Sequence, residues 1–474
     1  MTKTNSECTP TEAFGAWVAT APNNWPYDAL HSAKREFIDL VGVAVPGAMD
    51  ESTMKTIETV MDWGAGPCTV VGQAFTMAAP WAALINGTAG HALDFDDNFD
   101  PPKAHATTVL APSILALGEQ ENCTGRACLD AYIVGLQIMG RVGQGVNPLH
   151  RNRGWHATAT VGAIGAAAAC ARLLKLDSLR ASYAISLATS MAAGFMSQFG
   201  TMAKPVHAGL AAKSGILAAS MAKGGVTASL NTLEGSDGMN HLMVGPDYEQ
   251  QRDSLTHFDH GQNLRYKTEN VGEPLLILEH AFRVKRFPNC GSAHRAMDIL
   301  LLLKEDQDFR ENEVDRIVVY APKVHLNNLM HHNPKDPMEA KFSLQYGLAC
   351  ILHTGNCTLS DFTPDAVRRP SIRSLFDRVE LMPIDKLEGE VSTSVEVHLT
   401  SGTVLEKSLD MPLGSKLAPF SDTQYWDKFN ACVNGLLTRA QCESLRDALD
   451  RLNELENIHD LMTHLRTPFA EIAQ

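Results

Sequence analysis

The sequence predicts a mainly α protein, with a large all-helical domain and a smaller α+β domain. Three observations predict it. From about Thr11 to Ser220 the apolar residues recur at helical spacing in runs dense in Ala and Gly, such as VGAIGAAAACARLLKL, SYAISLATSMAAGFM and HAGLAAKSGILAASMAKGG. Past about residue 270 the pattern changes to alternating β-branched residues, in VDRIVVYAPKV, DRVELMPI and VSTSVEVHLTSGTVLEKSLDM. After Gly414 helical spacing returns, in TQYWDKFNACVNGLL and SLRDALDRLNELENIHDLMTHL.

The small residues of the first segment let helices approach closely, so it reads as a tightly packed bundle. Asp177-Ser178 opens one helix as an N-cap, and Gly224-Gly225 closes another. In the second segment Ser401-Gly402 sits where a two-residue hairpin turn belongs, while AHRAMDILLLLKE and KFSLQYGLACILHTG supply helices between the strands. The expected organisation is a first helical part over 1–270, an α+β domain over 271–414, and C-terminal helices over 415–474 that return to the helical domain.

With 474 residues, 45% hydrophobic and 20% charged, the chain has a globular composition and the length for more than one domain. A formal net charge of -14 argues against nucleic acid or an anionic membrane as a partner, since both require a basic surface. A small anion can still bind where cations are concentrated locally. The 10 cysteines include no C-x-x-C pair, as expected of reduced thiols in the cytoplasm. The opening MTKTNSECTPTEAFGAWVATA lacks the basic and apolar regions of a signal peptide, and no run reaches the ~18 apolar residues of a membrane span.

Familiar cofactor motifs are missing. GRVGQGVNP continues a helical pattern and lacks the G-x-G-x-x-G spacing, and neither a P-loop nor a G-x-S-x-G elbow occurs. HFDH, from His257 to His260, and the pair His331-His332 lack the ordered His, Cys and carboxylate set of a zinc or iron site. No metal and no iron–sulfur cluster is expected.

Four segments remain. GHALDFDDNFDPPKAHATT concentrates Asp94, Asp96, Asp97 and Asp100 with Lys103 and His105; RNRGWHATATVGAIGAA has His156 just before an Ala/Gly-rich helix; QFGTMAKPVHAGLAAKSG has Lys204 and His207 before another; RVKRFPNCGSAHRAMDI has Arg283, Lys285 and Arg286 before a turn and His294 in the next helix. Singly, each has an ordinary explanation: a capping histidine, a solvated lysine, an acidic loop. Together they share one form, a polar cluster at a loop-to-helix junction. Helix N-termini favour anions, so several converging with Lys204 and three histidines would make a pocket for a multiply charged carboxylate.

With these residues assembled, the chain resembles the MmgE/PrpD family, which includes 2-methylcitrate dehydratases, cis-aconitate decarboxylases and iminodisuccinate epimerases. The resemblance runs from about residue 10 to about residue 410 and rests on GHALDFDD, GWHATATVGAIGAAAA, GTMAKPVHAGLAAKSG, KRFPNCGSAH and FSLQYGLA in that order. It implies that the α+β domain is a lid over an active site at the junction with the helical domain, a homodimer, and no cofactor. It implies pocket residues at Asp94, His105, His156, Lys204 and His294, His105 after allowing one extra loop residue.

Three departures fall at the substrate loop and beside it. Asn98 stands where the decarboxylases have threonine, Phe99-Asp100 replaces a tryptophan–histidine pair, and PVH follows Lys204 in place of Arg-Leu-His. The acidic loop is also shorter than in 2-methylcitrate dehydratases. The expected assignment gives His105 and His156 the acid/base work with Asp94 orienting an imidazole, and Lys204, His294, Asn98 and His207 the binding of substrate. The leading reading is a cofactor-independent lyase, decarboxylase or dehydratase, acting on an acid of the aconitate or citrate type. The alternative is an epimerase of a dicarboxylate such as iminodisuccinate.

Overall fold

The computed structural model describes residues 8–255, 259–386 and 391–466. The described chain is mainly α and divides into two units, Met1–Phe282 with Asp422–Gln474, and Arg283–Ser421. The first unit is helical. The helices that build its site are α1 (Tyr27–Gly47), α2 (Ala79–Ala92), α3 (Thr107–Gln120), α4 (Gly125–Val146), α5 (Ala157–Leu173) and α6 (Ala203–Lys223). Almost every residue of α2, α3 and α5 is buried, which suits sequences in which Ala, Gly and aliphatic residues predominate. The expected caps are present: Asp177 accepts from the Arg180 N–H at 2.9 Å, and α6 stops at Gly224 with Gly225 at φ +92°.

Helix α6 packs on α2 and α5, and α4 packs on α5. Glycine makes the α2–α6 crossing possible, because a Cβ on Gly209 would lie 2.0 Å from the Leu84 carbonyl oxygen. From that crossing α2 runs on toward Asp94 while α6 runs back to its start at Ala203. The contact therefore brings Asp94 and Lys204 together. The glycines of GRVGQGVNP serve packing as well: a Cβ on Gly143 would meet the Pro102 Cα at 2.2 Å, so α4 receives the acidic loop there.

The stretch 271–282 belongs to this unit because α4 holds its backbone. Gln137 accepts from the Leu276 N–H at 2.8 Å, and Arg141 donates through Nε to the Val271 carbonyl at 2.9 Å. The helix Asp422–Val433 packs on α1, so the C-terminal return closes on the first unit. Residues 467–474 of that return lie outside the described residues.

The second unit has a four-stranded sheet in which β1 (Val314–Pro322) is flanked by β2 (Val379–Ile384) and β3 (Thr393–Leu399), with β4 (Val404–Leu409) at the edge beyond β3. β1 and β2 run parallel, and the other pairs are antiparallel. Helix α7 (His294–Asp306) packs on β3, β4 and α8 (Leu344–Thr354). The β3–β4 turn is longer than the two-residue turn expected at Ser401-Gly402. The Leu399 N–H bonds the Thr403 carbonyl at 2.8 Å across residues 400–402, and Gly402 takes φ +90°, the left-handed position of a three-residue hairpin loop. Among the described residues no helix is long and apolar enough to cross a membrane.

Candidate active site

The acidic stretch is a buried loop in the first unit. Helix α2 ends at Ala92, and the chain turns at Asp94, which adopts φ +51°, a conformation that Asp tolerates better than most residues. The loop is fixed by its backbone. Phe99 and Ala104 exchange hydrogen bonds of 2.8 and 3.2 Å, Gln262 donates to the Asp100 carbonyl at 2.8 Å, and Asn147 donates to the Pro102 carbonyl at 2.9 Å. Lys428, from the Asp422–Val433 helix, donates to the Phe95 carbonyl at 2.8 Å and pairs with Asp39 at 2.7 Å.

Three helix starts meet this loop. His105 lies two residues ahead of α3, and its N–H bonds the Thr158 hydroxyl at the start of α5 at 3.1 Å. His156 is the N-cap residue of α5. Lys204 and His207 fall inside the first turns of α6, not before it as the sequence pattern implied. The Lys204 ammonium bonds the Asp94 carboxylate, and both side chains are buried. His105 Nε2 is 4.0 Å from the same carboxylate oxygen.

The imidazoles are held mainly by Asp96. His91 Nδ1 lies 2.9 and 3.0 Å from its two oxygens, and His105 Nδ1 lies 3.4 Å from Oδ2. The rings continue as a file: His91 is 4.5 Å from His105 and 6.1 Å from His156 between centroids, and His156 Nδ1 is 3.1 Å from His207 Nδ1. Phe199 walls the group, edge-on to His156 at 4.9 Å and 5.5 Å below the Lys204 ammonium.

The electrostatics follow from burial. Burial pushes His91 down to about 3, helped by the Lys204 and His105 charges and opposed by Asp96, so its ring is neutral and donates Nδ1–H to Asp96. Burial alone would push the Asp96 carboxyl up, yet the His91 and His105 rings beside it hold it well below the usual range. His156 is held well below its ordinary value by burial, then by His91 and Lys204. His207 is lowered by burial and Lys204.

Asp97 behaves oppositely. Burial, and then the Asp96 charge, push its carboxyl up to about 7. Its Oδ1 accepts from the Thr107 N–H at 3.1 Å. A raised carboxyl holds its proton in the folded state, so its contribution to stability is full below the unfolded value of about 4 and is lost as pH rises through 7. Asp97→Asn should therefore raise the melting temperature more at pH 8 than at pH 5. Equal shifts at both pH values would show that Asp97 is ionised in the fold.

Two residues of this group were not singled out in the sequence. His91 was hidden as the last turn of an apolar helix, although a histidine three residues before Asp94 and five before Asp96 was a usable signal; its Nε2 has no hydrogen-bond partner among the described residues. Lys428 gave no local signal. Asn98 is half-buried in the loop. His294 belongs to the second unit, where it opens α7, is buried, and meets the Phe287 ring edge-on at 5.3 Å.

The histidine pairs set aside as metal sites are engaged otherwise. His260 faces Asp100 at 3.6 Å, His331 faces Glu339 at 3.9 Å, and His332 bonds Gln345 at 3.0 Å, while His257 lies outside the described residues. Ligand-type atoms of His91, Asp94, Asp96 and His105 all lie within 4.8 Å of one another, but the Lys204 ammonium already rests on Asp94.

Residues 12–251 match the MmgE/PrpD N-terminal domain, and residues 287–454 match the MmgE/PrpD C-terminal domain. The chain belongs to the MmgE/PrpD family. Asp94, Asp96, Lys204 and the imidazoles of His91, His105, His156 and His207 fall within the stretch matched by the N-terminal domain. Among curated relatives, the chain is 28% identical to the cis-aconitate decarboxylase of Homo sapiens, over 93% of this chain and 90% of that protein. It is 26% identical to the cis-aconitate decarboxylase of Mus musculus, over 97% and 93%. It is 25% identical to that of Aspergillus terreus, over 98% and 97%. The protein is thus a lyase of the MmgE/PrpD type.

Proposed function

We propose that this lyase decarboxylates cis-aconitate without a metal or other cofactor. The observation that supports the reading most is the buried Lys204–Asp94 pair set among His91, His105 and His156, in a chain similar over 97% and 93% of its length to two cis-aconitate decarboxylases. In cis-aconitate one carboxylate sits on a saturated carbon next to the double bond. When it leaves as CO2, its bonding pair forms a new double bond and the old π pair moves to the carbon beside another carboxylate. That carbon then takes a proton.

Each turnover thus needs a cation for the developing charge and an acid for the proton. Lys204 supplies the first, aided by the helix starts around it. His156, which burial holds neutral, and His105, which lies against Asp96, are placed to supply the second. Asp94 acts through Lys204 by fixing the ammonium. Asn98 lies in the same loop as Asp94, and His207 lies three residues after Lys204 on α6. The Lys204 ammonium places a positive charge on Asp94, which opposes a divalent cation beside it.

Incubation with cis-aconitate in D2O, followed by NMR, tests the reading. The expected result is CO2 release with one deuteron in the product, unchanged after dialysis against a chelator. Water addition or loss would instead make the enzyme a hydro-lyase, and deuterium exchange without loss of CO2 would make it an epimerase.

A further inference from the structure

We propose that His207 is a proton relay, which passes a proton from water to His156 during the reaction. The inference rests on the decarboxylation reading, which consumes one proton per turnover at a buried carbon. His156 and His207 meet nitrogen to nitrogen, Nδ1 to Nδ1 at 3.1 Å, a direct hydrogen bond that carries one hydrogen between two rings. His156 is only 4% exposed, whereas His207 is half-buried, so the second ring links the first to water.

The chemistry requires such a link. Burial, with Lys204 close by, keeps both rings neutral near pH 7. A neutral imidazole that gives up its only proton is left as an imidazolate, a far stronger base than the protein can hold there. With Nδ1–H on His207, His156 carries its hydrogen on Nε2. As that Nε2 proton goes to the carbanion, the shared proton crosses from His207 Nδ1 to His156 Nδ1, and His207 Nε2 takes one from water. One proton enters, one leaves, and both rings stay neutral. After product release the rings regain their first tautomers by exchange with water at their outer nitrogens.

The test uses His207→Gln and His207→Asn in the full-length enzyme, with folding checked by circular dichroism. We expect kcat to fall by about 10²-fold with KM little changed, and to recover as imidazole is added to the buffer. His207→Phe should lose the same activity and recover less, because its ring blocks entry of the added imidazole. A residue that only packed or bound substrate would change KM and show no rescue. Wild-type kcat in the variants, or a loss that imidazole does not restore, overturns the relay. Absence of CO2 release by the wild type overturns the decarboxylation reading alone. The relay is then read from deuterium uptake into whichever di- or tricarboxylate the wild type turns over, with the same loss and rescue expected.

Discussion

Lys204→Met should lower kcat/KM by about 10²–10³ and destabilise the fold together. The catalytic part follows from removing a buried cation aimed at a developing negative charge, a change that costs about that factor in other enzymes. The stability part follows from Asp94, which would remain as a buried carboxylate without its ammonium; breaking such a pair typically costs about 3–5 kcal/mol. The two effects separate in the double variant Lys204→Met with Asp94→Asn. Asparagine accepts the φ of +51° at that position and carries no charge, so urea unfolding should recover while turnover stays lost. Recovery of turnover in the double variant would remove Lys204 from the chemistry.

Asp96→Asn should lower kcat by about 10²–10⁴ with KM nearly unchanged. Asp96 is fully buried and ionised, and it receives His91 Nδ1–H while facing His105 Nδ1 at 3.4 Å. An asparagine amide presents N–H groups to at least one of those nitrogens, so one ring must change tautomer or turn away. A carboxylate-to-amide change behind a catalytic imidazole costs about 10⁴ in a serine protease by the same mechanism. Steady-state kinetics on the folded variant decide it: a kcat within a few-fold of wild type would leave Asp96 a purely structural anchor of the loop.

The parts of this architecture that depend on local rules were legible in the sequence. Helical spacing, the Asp177 cap and the Gly224 stop each rest on interactions within a few residues, and they reappear in the structure. The family was legible because five motifs kept their order along the chain, and both family domains match. The partners of the charges were not. Lys204 and Asp94 are 110 positions apart, and what joins them is a close crossing at Gly209 whose geometry no spacing rule encodes. Read in a line, the acidic stretch does not tell which carboxylate meets which cation. In space Asp94, turned left-handed just beyond the end of α2, faces Lys204 and lies 4.0 Å from His105 Nε2, while Asp96 faces His91 and His105. The hairpin was located correctly but drawn one residue short, since Gly402 closes a loop of three and not of two.

Lys428 fixes the Phe95 carbonyl from 333 positions downstream. On a ribosome every imidazole of the file, and Lys204 too, is synthesised well before that lysine. The loop bearing Asp94 and Asp96 nonetheless lacks one of its anchors until the Asp422–Val433 helix has emerged and docked, which makes the last closure a long and entropically slow one. A growing chain would therefore hold this loop by its other backbone contacts alone, and would gain the Lys428 anchor only once that helix had been made.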